Sequence, residues 1–196
     1  MTYEEKILKL IENNNGIITT KQVNNEKIPK IYLTKLVKKN EIQRIKRGIY
    51  GDINKFEDEF YIFQLRYPNA IFSYNTALYI HGLTERTPDK LDVTVYRGYT
   101  GRKLDFNIVT HYVKKEILNL GIMTVDSPYG NKIKVYDKER CICDIVKNRT
   151  KIDIELFNKI IRNYFEDNNR DINRLFEYAK KMNVFDKLVP YVGTSI

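Results

Sequence analysis

Within residues 1–51 the chain supplies its own start and stop signals so densely that only three short helices and one hairpin fit between them. Residues 3–13 place Ile7, Leu8, Leu10 and Ile11 on one stripe, with Glu4, Glu5, Lys6, Lys9 and Glu12 mostly off it, the pattern of an amphipathic helix. Asn13-Asn14-Asn15-Gly16 ends it, because Gly16 can take the left-handed conformation that closes a helix. After the short apolar pair Ile17-Ile18, Thr19 or Thr20 can cap a second helix around Val23. Residues 24–28 make a polar turn, and Pro29 suits the first turn of a third helix that runs to about Asn40 with Leu33, Leu36 and Val37 buried. From Glu41 to Gly51 the dense Arg/Lys set and Gly48 predict a β-hairpin with a basic tip, although Ile42 and Ile45 do not alternate strictly.

Charge follows the same boundary. The whole chain carries 34 Lys/Arg against 25 Asp/Glu, a net of +9. Residues 1–51 hold 11 Lys/Arg and 5 Asp/Glu, a net of +6, so a quarter of the chain carries two-thirds of the excess. Three short helices followed by a basic hairpin is the order of a winged helix-turn-helix, in which the third helix enters the major groove and the hairpin runs along phosphates. The expected DNA-facing residues are Lys30, Tyr32, Lys35, Lys38 and Lys39 on the third helix and Arg44, Lys46 and Arg47 in the wing. Such cations chiefly neutralise phosphate. Base reading falls to Lys30, Tyr32 or Thr34, among which the sequence does not choose. A charged helix face is also an ordinary solvated face, and a three-helix module can bind protein instead.

Beyond Asp52 a second body is expected, giving a DNA-binding domain over 1–52 and a mixed α+β domain over 53–196. Residues 55–67 read as a helix ended by Pro68, Ala70–Phe72 as a short strand, and Ser73 or Asn75 as caps of a helix stopped by Gly82. Leu91–Tyr96 alternates as a strand, Arg97–Arg102 reads as a loop or tight hairpin, and 106–113, 117–125 and 132–136 read as further strands. Asp137 caps a helix to about Lys147, and 153–166, 171–182 and 184–192 form a closing helical cluster. Strands first and helices afterwards make the class α+β.

Chemistry-bearing motifs are sparse. His81, His111, Cys141 and Cys143 do not have the spacing of a zinc site, so no metal and no cofactor are expected. No glycine-rich phosphate loop and no nucleophile elbow occurs. Asp92, Asp105, Asp137 and Glu139 could be drawn as a metal-dependent nuclease site, but capping and strand-ending account for them. The expectation is therefore a non-enzyme. The polar, acidic opening and the absence of an apolar run of about 20 residues imply a cytoplasmic protein without a membrane partner.

Three segments carry a resemblance. They are Arg44-Ile45-Lys46-Arg47-Gly48-Ile49-Tyr50, the S-x-x-T-A-L-x-x-x-G-L stretch at 73–83, and the Y-D-x-E-R-x-x-C-D stretch at 136–144. In this order, behind the N-terminal helices, they resemble the AbiEi antitoxins of bacterial abortive-infection, type IV toxin-antitoxin systems. The resemblance implies an N-terminal domain that binds repeats in its own promoter, as double-stranded DNA, and represses transcription. It implies a C-terminal domain that counters a nucleotidyltransferase-like toxin without a stable complex. It also implies auxiliary DNA-contacting residues in the C-terminal domain, for which Arg97, Arg102 and Lys103 are candidates. A transcriptional regulator without a toxin partner is the alternative, with a metal-dependent nuclease behind it.

Overall fold

A computed structural model of the chain describes residues 1–100, 105 and 107–192. Among the described residues the fold is mixed α+β, with two sheets and two compact units. The first unit comprises Met1–Arg66 together with Asp126–Ile133, and the second Tyr67–Val125 together with Lys134–Ile196. Among the described residues no helix is long and apolar enough to cross a membrane.

In the first unit the elements are α1 (Tyr3–Asn13), β1 (Ile17–Thr19), α2 (Thr20–Asn25), α3 (Ile31–Lys38), β2 (Ile42–Lys46), β3 (Ile49–Asp52) and α4 (Glu59–Arg66). Local capping fixes most of their ends. Thr2 with Glu5 and Thr19 with Gln22 form capping boxes at the starts of α1 and α2. Asn15 at φ +53° and Gly16 at φ +93° turn the chain after α1, and the Gly16 amide donates to Ile11 O at 2.8 Å. The third helix begins with Lys30 as its cap, so Pro29 sits just ahead of it.

The three strands form an antiparallel sheet in the order β1-β3-β2. Both of its faces are buried. Ile18 and Ile42 join Ile7, Ile11, Val23, Ile28, Leu33 and Leu36 under the three N-terminal helices. On the other face Ile17 and Ile49 pack with Ile62 of α4, and Ile45, Tyr61 and Leu65 pad that cluster. This second core explains why Ile42 and Ile45 do not alternate on one face: they serve opposite faces. A bulge between Arg44 and Lys46 adds the extra residue.

The start of α4 is held by a buried carboxylate. Asp58 accepts the Tyr61 amide at 3.0 Å, the Ser127 hydroxyl at 2.5 Å and the Asn131 side-chain amide at 2.7 Å. Ser127 Oγ in turn accepts the amides of Tyr129 and Asn131. Asn15 donates to Gly130 O at 3.1 Å. A turn distant in sequence is thereby fastened into the first unit.

The second unit is built on β4 (Ile71–Phe72), α5 (Tyr74–Ile80), β5 (Leu91–Tyr96), β6 (Ile108–Val113), α6 (Lys115–Leu118), β7 (Ile122–Asp126), β8 (Lys132–Tyr136), α7 (Lys138–Lys147), α8 (Ile154–Glu166), α9 (Ile172–Lys181) and α10 (Phe185–Val192). Its sheet runs β6-β5-β4-β8-β7. β5 is antiparallel to β4 but parallel to β6. Of the two readings of Arg97–Arg102, loop or tight hairpin, that pairing removes the hairpin, because a two-residue hairpin joins antiparallel strands; residues 101 and 102 lie outside the described residues. The expected strand at 117–125 is likewise shorter. Residues 115–118 form α6 and Gly121 at φ +80° turns the chain before β7 starts at Ile122.

Helix α7 is the centre of this unit, with every residue from Glu139 to Val146 buried. The Y-D-x-E-R-x-x-C-D stretch is its internal wiring. Asp137 caps the helix by accepting the Arg140 amide at 2.8 Å and also accepts the Tyr178 hydroxyl. Arg140, with no solvent exposure, donates to Asp144 at 3.1 Å and to the carbonyls of Ile117 and Leu120. Its guanidinium lies 4.1 Å from the centre of the Tyr136 ring. Burial pushes the thiols of Cys141 and Cys143 up, Cys143 to about 12, so neither is a ready nucleophile. In the 73–83 stretch, Thr76 Oγ1 accepts the Asp92 amide at 2.8 Å and Ser73 Oγ accepts the Thr94 hydroxyl at 2.9 Å.

Candidate nucleic-acid interface

At about 100° per residue, burying Leu33, Leu36 and Val37 turns Ile31, Thr34, Lys35 and Lys38 outward together. All four are exposed. Of the residues expected at the interface, Lys35 and Lys38 therefore share one face, with Lys30 exposed at its start. The wing cations Arg44, Lys46 and Arg47 are exposed as well. Arg47 and Gly48 form the two-residue turn between paired Lys46 and Ile49. Gly48 takes φ +80°, and its carbonyl accepts both the amide and the hydroxyl of Thr20. The wing is thus anchored to the start of α2.

Two of the expected residues sit on the flank of α3. Tyr32 is half-buried against the helical core, and its ring centre is 5.0 Å from that of Tyr3. Lys35 Nζ stands 4.7 Å above the Tyr32 ring, so this tyrosine supports a cation of the outward face. Lys39 donates to Glu4 of α1 at 2.7 Å, and that hydrogen bond holds its ammonium above the usual lysine range. Its charge is answered within the domain, unlike those of Lys35 and Lys38. Among the described residues neither of these has an ion-pair partner.

Ile31 was not among the expected residues. Its exposure of 57% is large for an isoleucine at the head of this face. Its signal in the sequence is weak, since it reads equally well as part of the apolar stripe. An outward aliphatic side chain beside Thr34 is the chemistry that meets a thymine methyl group.

Arg97 directly follows β5 in the second unit, exposed, with its amide donating to Val113 O at 2.9 Å. Arg102 and Lys103 lie outside the described residues. Among the described residues no group of three or more His, Cys, Asp or Glu side chains is arranged to hold a metal ion.

Residues 5–51 match the model of a family described as transcriptional regulator, AbiEi antitoxin. This domain is similar to theirs. The match begins inside α1 and ends in β3, so it spans all three helices and the wing. It supports the likeness as far as the helices and the wing, stops short of the stretches at 73–83 and 136–144, and is described as that of a transcriptional regulator. No curated protein matches the chain.

Proposed function

We propose that this chain is a cytoplasmic DNA-binding antitoxin. It represses transcription of its own toxin-antitoxin operon and counteracts a nucleotidyltransferase-like toxin without a stable complex. The observation that carries the reading is the unpaired cationic face formed by Lys35, Lys38 and the wing, within a domain matched to antitoxin regulators. In this reading the face formed by Lys30, Lys35, Lys38, Arg44, Lys46 and Arg47 tracks phosphates, while Ile31 and Thr34 meet base edges. Tyr32 and Lys39 hold the helix in place from its flank. The division of labour is that residues 1–52 read DNA and residues 53–196 act against the toxin, with Arg97, Arg102 and Lys103 as auxiliary DNA contacts.

The test is a promoter reporter combined with toxin co-expression. The upstream region of the gene should be repressed by the full chain and released by Lys35→Ala/Arg47→Ala. Growth arrest by the partner toxin should be relieved by the chain, and relieved equally by that double variant supplied from an independent promoter. Unchanged repression in the double variant would overturn the DNA-binding assignment. Failure to relieve the arrest would leave a regulator without antitoxin activity.

A further inference from the structure

The second unit contains a cavity of about 440 Å³ between the α5–β5 region and the start of α8. That volume falls within the range of about 300–1,000 Å³ usual for small-molecule sites. Its buried carboxylate is firmly held. Asp92, 5% exposed, accepts His111 Nε2 at 2.6 Å through one carboxylate oxygen and the Asn75 amide at 3.1 Å through the other. Asn75 and Asp92 both line the cavity. Behind them Tyr74 stacks on His111, ring centres 3.7 Å apart, and its hydroxyl accepts the Asn148 amide at 3.0 Å.

Tyr74 adopts φ +46° to do this. The other described non-glycine residues at positive φ are Asn15, Lys27, Asn40 and Asn183, each just past the end of a helix, where that conformation is ordinary. Tyr74 instead opens α5. A strained aromatic at this place fixes the orientation of His111, and through it the Asp92 carboxylate.

The walls are apolar, supplied by Pro88, Val109, Ile152 and Leu156. The rim is cationic. Arg86, Lys90 and Lys151 are exposed, and none has an ion-pair partner among the described residues. Of the two rim carboxylates, Asp153 already caps α8 by accepting the Leu156 amide at 2.9 Å, and Asp89 remains. A depression of about 520 Å³ beside α9 offers no such set, because its one cation, Arg174, is already engaged by Asp171 and Glu139.

We infer that this cavity binds a nucleoside phosphate. The flat base slides between the aliphatic walls, its amino or ribose hydroxyl hydrogens meet Asp92 and Asn75, and the phosphates meet Arg86, Lys90 and Lys151. The lining decides the class: a buried carboxylate, four apolar side chains and three exposed cations without ion-pair partners among the described residues. The inference does not depend on the DNA-binding proposal, because the cavity lies wholly within the second unit.

The full-length protein should be titrated with mant-ATP and mant-GTP, with inorganic pyrophosphate and free nucleoside as competitors. Saturable binding, displaced by unlabelled nucleotide far better than by pyrophosphate, is expected for at least one of the two. Arg86→Ala/Lys90→Ala, at exposed positions that leave the fold intact, should weaken it by about tenfold or more. Lys35→Ala/Arg47→Ala should leave it unchanged. Absence of saturation up to about 1 mM, an affinity too weak for a built site, would overturn the inference. So would binding that survives the rim substitutions but is lost with the α3 and wing pair, or pyrophosphate competing as well as nucleotide.

Discussion

Replacing Ile62 by alanine should cripple the N-terminal domain although Ile62 lies outside its helix-turn-helix. Ile62 is 5% exposed and packs with Ile17 and Ile49 on the face of the small sheet turned away from α1–α3. Both partners sit in hydrogen-bonded strands, which cannot follow a shrinking side chain inward. The cavity therefore persists, and the cost is expected at about 2–4 kcal/mol, within the usual span for Ile→Ala in a core. For a unit of this size that lowers the melting temperature by about 10 °C or more. The chain has no tryptophan, so site-resolved hydrogen exchange is the suitable assay. Amides of β1–β3 should exchange faster by the matching factor, about 30-fold or more at 2 kcal/mol. Leu8→Ala, at a position 37% exposed, is the control and should change protection little. If Ile62→Ala leaves β1–β3 as protected as Leu8→Ala does, α4 does not complete the domain's core and the second-core argument fails.

Three further outcomes follow from the buried charges and the anchored wing. Arg140→Met should destabilise the second unit by about 3–5 kcal/mol in denaturant melts, because Asp144 is left buried without its cation; Arg140→Met/Asp144→Leu should recover most of the loss. Burial holds the His81 imidazole below its usual range while its Nε2 donates to Tyr136 O at 2.7 Å. Its contribution is thus full above the unfolded value near 6.5 and falls as pH drops through that value toward the folded one. His81→Gln should flatten the wild-type loss of stability between about pH 7 and 5, and an unchanged slope would remove His81 as its source. Gly48→Val should destabilise the wing, since Gly48 holds φ +80° and a Cβ there would stand 3.3 Å from Thr20 Oγ1; unaltered β2–β3 exchange would contradict this.

The parts of the fold legible in the sequence are those settled by near neighbours. Thr19, Gly16, Gly82 and Asp137 signal helix ends within a few residues, and the structure uses each there. What depends on distant partners was not legible. Ile45 looked out of phase because the helix that covers it lies beyond Asp52. Asp58 gave no sign of its bond to Ser127, 69 positions away. The parallel pairing of β5 and β6 is a matter of topology, which the alternation of Leu91–Tyr96 cannot express. At the candidate interface the charges of Lys35, Lys38 and the wing were legible as types. Sorting them from Lys39 required the position of Glu4 on another helix. The strained Tyr74 and its His111–Asp92 partners were hidden for the same reason, since three elements contribute to them.

The most direct test of the central claim is the salt dependence of binding to the DNA upstream of the gene, measured for the wild type, Lys35→Ala and Lys39→Ala. Each lost phosphate contact lowers the slope of log affinity against log salt by about 0.9. The account predicts specific binding whose slope falls by about that amount in Lys35→Ala and by clearly less in Lys39→Ala, whose ammonium Glu4 already holds. Binding no tighter than to random DNA, or equal slopes in all three proteins, would contradict it.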